Sequence, residues 1–73
     1  MAIFQITTKN RKHFNGFYIE PGMSVQVVTK YQNNPVTTNG GLLVIDAFYR
    51  IYGIDIKKAG CLNMADLSVE KIG

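Results

Sequence analysis

The residue types best suited to chemistry lie near the start of the chain, in the stretch KNRKHFNGFYIEPG at residues 9–22. Three fixed cations, Lys9, Arg11 and Lys12, are followed directly by His13, the only histidine. Cations interleaved with aromatic rings are typical of proteins that bind single-stranded nucleic acid, because the cations contact phosphates and the rings stack on bases. The same composition also suits the solvated end of an ordinary hairpin. We favour the solvated hairpin, since few cations elsewhere form a coherent stripe.

The overall charge gives only weak support to a nucleic-acid partner. Eight Lys and Arg against five Asp and Glu leave a net charge of +3, with a pI of about 9.2. Lys57 and Lys58 form a second, smaller basic pair, and only the packing decides whether it adjoins the first. Nucleic-acid binding is therefore kept as the alternative function, and the residues that would carry it are Lys9, Arg11, Lys12, Lys57 and Lys58.

No set of residues in the sequence predicts catalysis or a metal site. Cys61 has only His13 as a conceivable base, and nothing in their spacing suggests that they meet. One cysteine and one histidine fall short of the four ligands of structural zinc, and the five carboxylates include no close pair. The NGG at residues 39–41 lacks the remaining residues of a phosphate-binding loop. We predict a protein that is not an enzyme and has no metal and no cofactor.

Hydrophobic periodicity predicts one α+β domain over residues 1–73. Alternating apolar residues indicate strands, and Asn15-Gly16 suits a two-residue hairpin turn. We expect a small, mostly antiparallel sheet of four or five strands with one main helix at about 40–52 packed on it, capped by Thr38 or Asn39. The expected strands are 2–8, the two short arms 13–14 and 17–20, 23–30 and 67–72, and a loop is expected over 31–41.

The segment that follows the main helix allows two interpretations. Residues 54–60 alternate in the manner of a strand. However, Asp55 is a suitable helix cap and Gly60 a suitable helix end. We therefore favour a short second helix at 55–59 and keep the strand as the alternative.

The main helix carries more apolar surface than one sheet can cover. Its only charged residues are Asp46 and Arg50, whereas a helix on a single sheet needs an apolar stripe only somewhat over 100° wide. Either the C-terminal segment covers the excess, through Ile54, Ile56, Leu62 and Met64, or another chain does. We predict an interface for a homodimer or for an unidentified protein partner, formed by Leu42, Ile45, Phe48, Tyr49 and Tyr52.

The size of the chain also favours association. A domain of 73 residues buries only about 60% of the surface of its unfolded chain, and small scaffolds usually add disulfides, a metal or oligomerisation. One cysteine excludes an internal disulfide, so association remains. The single unpaired cysteine suits the reducing cytoplasm, the first residues do not have the pattern of a signal peptide, and no membrane span is expected.

Two runs, YIEPGMSVQVVT and NGGLLVIDAFYRIYGIDIKKAG, resemble a family of small uncharacterised bacterial proteins of about this length. The resemblance extends from Phe14 to Ile72. It implies an intact small domain, and it implies no activity and no functional residues that can be transferred.

Overall fold

The computed structural model describes residues 1–30 and 33–73. The α+β class and the order of elements agree with the prediction from sequence. The elements are β1 (Ala2–Thr8), β2 (Lys12–Phe14), β3 (Phe17–Ile19), β4 (Ser24–Thr29), α1 (Leu42–Tyr52) and β5 (Leu67–Lys71). The predicted loop at 31–41 begins with Tyr31 and Gln32, which lie outside the described residues. Its described part contains turns and ends in a 3₁₀ turn at Asn39–Gly41.

The five strands form two antiparallel sheets rather than one sheet of four or five strands. β1 lies between β4 and β5 in a three-stranded sheet, and among the described residues β2 pairs only with β3. The division occurs at Thr8, whose N–H donates to the Met23 carbonyl (2.9 Å) and whose carbonyl accepts from the Gly22 N–H (2.9 Å). Two consecutive residues opposite one are the arrangement of a β-bulge, which bends the strand. The β2–β3 hairpin therefore leaves the plane of the main sheet.

One face of the three-stranded sheet forms the core with α1. Phe4 lies opposite Val27 and Ile6 opposite Val25, and all four side chains are buried, as the alternation predicted. The helix contributes the buried side chains Val44, Ala47 and Phe48. Sheet and helix therefore share one hydrophobic core, which also includes Ile56, Ala59, Cys61 and Leu67.

The N-cap of the helix is Gly41 rather than one of the predicted caps, Thr38 or Asn39. Gly41 occupies the N-cap position with φ +74°, and a Cβ there would lie 2.9 Å from two methyl carbons of Leu62. The Thr38 hydroxyl donates instead to the Asn34 carbonyl (2.8 Å). The close approach of Leu62 and the left-handed backbone together require glycine.

Residues 55–59 form hydrogen-bonded turns rather than the expected regular helix. Asp55 does cap this segment, because its Oδ1 accepts the N–H groups of Lys57 and Lys58, both at 3.1 Å. One helical bond follows, from the Ala59 N–H to the Asp55 carbonyl (3.0 Å), and the next bond, from Gly60 to Lys57, spans only three residues. These turns place Ala59 in the core, where it is buried.

Candidate functional site

An apolar stripe on α1 remains exposed to solvent. Leu42 is 64% exposed and Tyr49 63% exposed. Tyr52 is 39% exposed, and Ile45 is half-buried. These four residues are three or four positions apart, so they lie along one side of the helix. We call Leu42, Ile45, Tyr49 and Tyr52 the outer stripe.

Phe48, which the sequence grouped with these residues, does not belong to the outer stripe. It is fully buried in the core, and its ring stacks on that of Tyr52 at a centroid distance of 5.8 Å. Adjacent helical positions differ by about 100° in direction, so Phe48 points to the sheet while Tyr49 points to solvent. Phe48 is thus unavailable to a partner of the folded chain.

The C-terminal segment covers the helix only in part. Ile56 is buried, Ile54 and Leu62 pack against the core, and Met64 stays 42% exposed. Leu62 lies against the start of the helix at Gly41. These contacts leave the outer stripe uncovered at Leu42 and Tyr49, so the segment does not hide the apolar excess.

A largely apolar groove lies where the end of β4 meets the start of α1. Its volume is about 320 Å³, and it is lined by Val28, Thr29, Lys30, Asn39, Leu42 and Leu43. Val28 is 54% exposed on the otherwise polar face of β4, beside Ser24 and Gln26. The groove was not predicted from the sequence, where the apolar Val28 between polar positions was the available signal.

Tyr52 connects the outer stripe to the outer strand of the sheet. Its hydroxyl accepts from the Ser24 N–H (2.9 Å) and donates to the Ser24 carbonyl (3.1 Å). One end of β4 is therefore bonded to the end of the helix, and the apolar groove lies at the opposite end of β4. The outer stripe and the strand form one continuous surface.

Of the five cations predicted for nucleic-acid contact, the two at positions 11 and 12 are paired with acidic residues. Arg11 Nε lies 2.9 Å from a carboxylate oxygen of Glu20. Lys12 Nζ donates to the Gly60 carbonyl (2.9 Å) and lies 3.4 Å from Asp66 Oδ2. Arg11 therefore pairs across the base of the hairpin itself, Lys12 fastens the hairpin to the C-terminal segment, and Lys9 is exposed.

The structure places the second basic pair beside the hairpin. Asn15 Nδ2, in the β2–β3 turn, donates to the Lys58 carbonyl (2.9 Å), and both Lys57 and Lys58 are exposed. On the hairpin itself, the rings of His13 and Tyr18 lie 5.6 Å apart, and Tyr18 is 55% exposed. The structure thus places Lys57 and Lys58 beside the turn of the hairpin that also carries the exposed ring of Tyr18.

Cys61 and His13, the only conceivable nucleophile and base, have different environments. Cys61 is buried, and this burial, followed by the nearby negative charge of Asp66, raises the pKa of its thiol. His13 is exposed to solvent, and its ring lies beside that of Tyr18. A reactive cysteine needs its thiolate, and the environment of Cys61 favours the neutral thiol. Among residues 1–30 and 33–73, no group of three or more His, Cys, Asp or Glu side chains lies close enough to hold a metal ion.

Asp66 organises the contact between the hairpin and the C-terminal segment. Asn63 Nδ2 donates to its Oδ2 (3.0 Å) and Asn10 Nδ2 to its Oδ1 (3.3 Å). The hydrogen bond from Asn63, with smaller contributions from Asn10 and the Lys12 ammonium, lowers the pKa of Asp66 below its ordinary value. The ionised carboxylate is therefore the form that stabilises the fold.

Asp66→Asn is expected to lower the free energy of unfolding by about 1 kcal/mol at pH 7, because charge-assisted hydrogen bonds are lost. Since the pKa of Asp66 is lowered by folding, its contribution is complete above the pKa of the unfolded chain and disappears as pH falls through the folded value. Urea unfolding at pH 7 and at successively lower pH measures both effects. The difference between the proteins should shrink towards acid pH.

Asp46→Asn is the matched control for this substitution. Asp46 pairs with Arg50 at 2.9 Å, but both side chains are about two-thirds exposed, and exposed pairs of this kind contribute about 0.3–0.5 kcal/mol. An equal loss for the two variants at pH 7, or a loss for Asp66→Asn that does not change with pH, would contradict the role given to Asp66.

The helix α1 is too short to cross a membrane, and no other helix within the described residues is long and apolar enough to do so. No curated protein and no solved structure matches the chain. A family model does match, and it covers residues 1–69. The expected membership of a small uncharacterised family is thereby confirmed: the chain belongs to DUF6140, a family of unknown function.

Proposed function

We propose that this protein is a small, non-catalytic, cytoplasmic interaction module that forms a homodimer through the outer stripe. The observation that supports this most strongly is the exposure of Leu42 and Tyr49 on a helix that contributes Val44, Ala47 and Phe48 to the core from its other side. Aromatic residues are enriched at protein interfaces, and contiguous exposed apolar patches mark interaction sites on soluble proteins. The buried thiol of Cys61 supports a non-catalytic role.

Tyr49→Glu tests the homodimer because it changes an exposed residue and leaves the core intact. Placing an unpaired carboxylate at the centre of an apolar interface is expected to cost about 2 kcal/mol or more. This corresponds to an increase of about thirtyfold in the dissociation constant of the dimer. Light scattering over a range of protein concentrations measures that constant.

Tyr18→Glu is the matched control, since Tyr18 is a tyrosine of similar exposure that lies on the hairpin, away from the outer stripe. The Tyr18→Glu dimer should dissociate over the same range of protein concentration as the wild-type dimer. Equal weakening by both substitutions would mean that the added charge, rather than its position, matters. An unchanged dimer in Tyr49→Glu would exclude the outer stripe as the interface.

The alternative function, binding of single-stranded nucleic acid, is supported by one observation. The bond from Asn15 to the Lys58 carbonyl attaches the second basic pair to the turn of the hairpin, which also carries the exposed ring of Tyr18. The involvement of Arg11 with Glu20 and of Lys12 with Asp66 reduces the charge available to phosphates. This function therefore depends mainly on Lys9, Lys57 and Lys58.

Titration of a labelled single-stranded oligonucleotide at low and at moderate salt tests this alternative. Binding through these three lysines should weaken with a salt exponent of about −2, because each phosphate contact on a single strand contributes about −0.7. Replacing Lys9, Lys57 and Lys58 together by alanine should abolish that dependence. The absence of binding at about 50 mM salt would exclude the alternative.

A further inference from the structure

The outer stripe has the same spacing when it is read from either end of the helix. Its residues follow one another at intervals of three, four and three positions. Two copies can therefore pack antiparallel with Leu42 opposite Tyr52 of the second copy and with Ile45 opposite Tyr49. Both aliphatic residues lie in the first half of the helix and both tyrosines in the second. Each aliphatic side chain then meets an aromatic ring.

The most exposed part of the outer stripe points away from the sheet. At 100° per residue, Leu42 and Tyr49 lie about 150–170° from the mean direction of the helix residues that are in the core. A second helix can therefore approach from the side of α1 that is opposite to the sheet. Each sheet stays on the outer side of its own helix, and the Tyr52 hydroxyl keeps its bonds to Ser24.

Two opposite charges flank the outer stripe. Arg50 Nε lies 2.9 Å from Asp46 Oδ2 within one copy, and both side chains are about two-thirds exposed. Both residues lie on the same side of the stripe, within about 100° of Tyr49. In an antiparallel pair of helices related by a two-fold axis level with Ala47, Asp46 of each copy is offset by only about 3 Å along the helix from Arg50 of the other. A guanidinium has enough N–H donors for both carboxylates.

We propose that the homodimer is an antiparallel pair of α1 helices about a two-fold axis level with Ala47, with reciprocal ion pairs between Asp46 of each copy and Arg50 of the other. The inference rests on the proposed homodimer and adds its geometry and its pairing of residues. The order of layers is sheet, helix, helix, sheet. The outer stripes form the apolar centre of the contact, and the four charges form one cluster along its side.

A second copy of the chain is the partner that these features match. In a two-fold interface the same surface appears on both sides, so the surface must complement itself. A stripe of symmetric spacing does so, and so does a flank with one acid and one base. The net charge of +3 opposes the approach of two copies, but the cluster of Asp46 and Arg50 from both copies is neutral.

Lys30 is the charged residue at the other side of the helix start. It is exposed and lines the groove together with Leu42. In the antiparallel pair the start of each helix lies beside the end of the other. Lys30 therefore faces the carbonyl end of the second helix, where the helix dipole is negative and favours a cation.

Asp46→Lys and Arg50→Glu, made in separate chains, test this arrangement. Each change places like charges opposite each other at both ion pairs of the interface, so the dissociation constant of each variant dimer should rise about tenfold. The two changes alter the net charge in opposite directions, so an effect of net charge alone would move the two constants apart. Sedimentation equilibrium measures the constants, with samples at high protein concentration because a helix contact about 16 Å long forms a weak dimer.

Mixing the two variants in equal amounts tests the reciprocal pairing. In the mixed dimer the introduced cation of one chain lies opposite the introduced carboxylate of the other, and the second pair is the native one. The mixture should therefore associate with about the wild-type dissociation constant, and circular dichroism checks the fold of both variants.

Glu20→Lys and Arg11→Glu are the matched controls, because they make the same exchanges in an exposed ion pair of the same length, 2.9 Å, on the hairpin. They should leave the dissociation constant unchanged, alone or mixed. If the wild-type protein is dimeric but Asp46→Lys and Arg50→Glu leave its constant unchanged, or weaken it without recovery on mixing, the antiparallel pairing is overturned and the proposed homodimer stands. A wild-type protein that is monomeric at every concentration would overturn the homodimer and the pairing together.

Discussion

Phe48→Ala is expected to lower the free energy of unfolding by about 3–5 kcal/mol, the usual cost of removing a buried phenylalanine ring. Phe48 is fully buried between the helix and the sheet, and its ring stacks on that of Tyr52. The total stability of a domain is only about 5–15 kcal/mol. The substitution should therefore remove much of the stability of this small chain and leave part of the protein unfolded at room temperature.

Tyr49→Ala is the control, because the neighbouring aromatic ring lies on the exposed side of the same helix. At a protein concentration low enough for the monomer, its effect should stay within about 0.5 kcal/mol, as for surface substitutions in general. Urea unfolding followed by circular dichroism measures both variants. Comparable losses from Phe48→Ala and Tyr49→Ala would contradict the division of the helix into a core side and an outer stripe.

Gly41→Ala is expected to lower the free energy of unfolding by about 2–3 kcal/mol. Part of this cost, about 1–2 kcal/mol, is that of a left-handed backbone conformation for a residue with a Cβ. The rest comes from overpacking, because the new methyl group would lie 2.9 Å from the methyl carbons of Leu62 and 3.1 Å from the backbone oxygen of Val36, which can move less easily than a side chain. Thermal or urea unfolding of the variant measures the sum.

Gly53→Ala separates the two parts of that cost. Gly53, at the other end of α1, has a similar φ of +70°, and a Cβ there meets nothing within 4 Å. It should therefore show only the backbone cost, about 1–2 kcal/mol. If Gly41→Ala were no more damaging than Gly53→Ala, the close contact between Leu62 and the start of the helix would not constrain this site.

The sequence predicted the main sheet well because its strands have one buried and one exposed face. In β1, Ala2, Phe4 and Ile6 alternate with Ile3, Gln5 and Thr7, and the first set lies in the core. The Asn15-Gly16 turn was equally clear, since both residues adopt positive φ in the hairpin. Local patterns of this kind are decided by neighbours in the sequence, so they can be read from it.

Features that depend on distant residues could not be predicted. The choice of Gly41 as the helix cap depends on Leu62, and the split into two sheets depends on the bulge opposite Thr8. The assignment of Phe48 to the core needed the direction from which the sheet approaches the helix. A helix with apolar residues around most of its circumference does not reveal that direction.

The candidate site shows the same limit. The sequence identified the cations of the hairpin, but not that Lys12 would bond to Gly60 and Asp66, some fifty residues further along the chain. It identified the apolar excess of the helix, but not that Tyr52 would bond to Ser24 and so join the helix to the edge of β4. Both contacts are tertiary, and both change which side chains remain available to a partner.

The mass of the protein in solution, measured by light scattering over a range of concentrations, tests the central claim most directly. One chain has a mass of 8.2 kDa. The proposed homodimer predicts that the measured mass rises with concentration from this value to twice it. It also predicts that Tyr49→Glu moves the rise to higher concentration. A mass that stays at 8.2 kDa over the whole range would contradict self-association through the outer stripe.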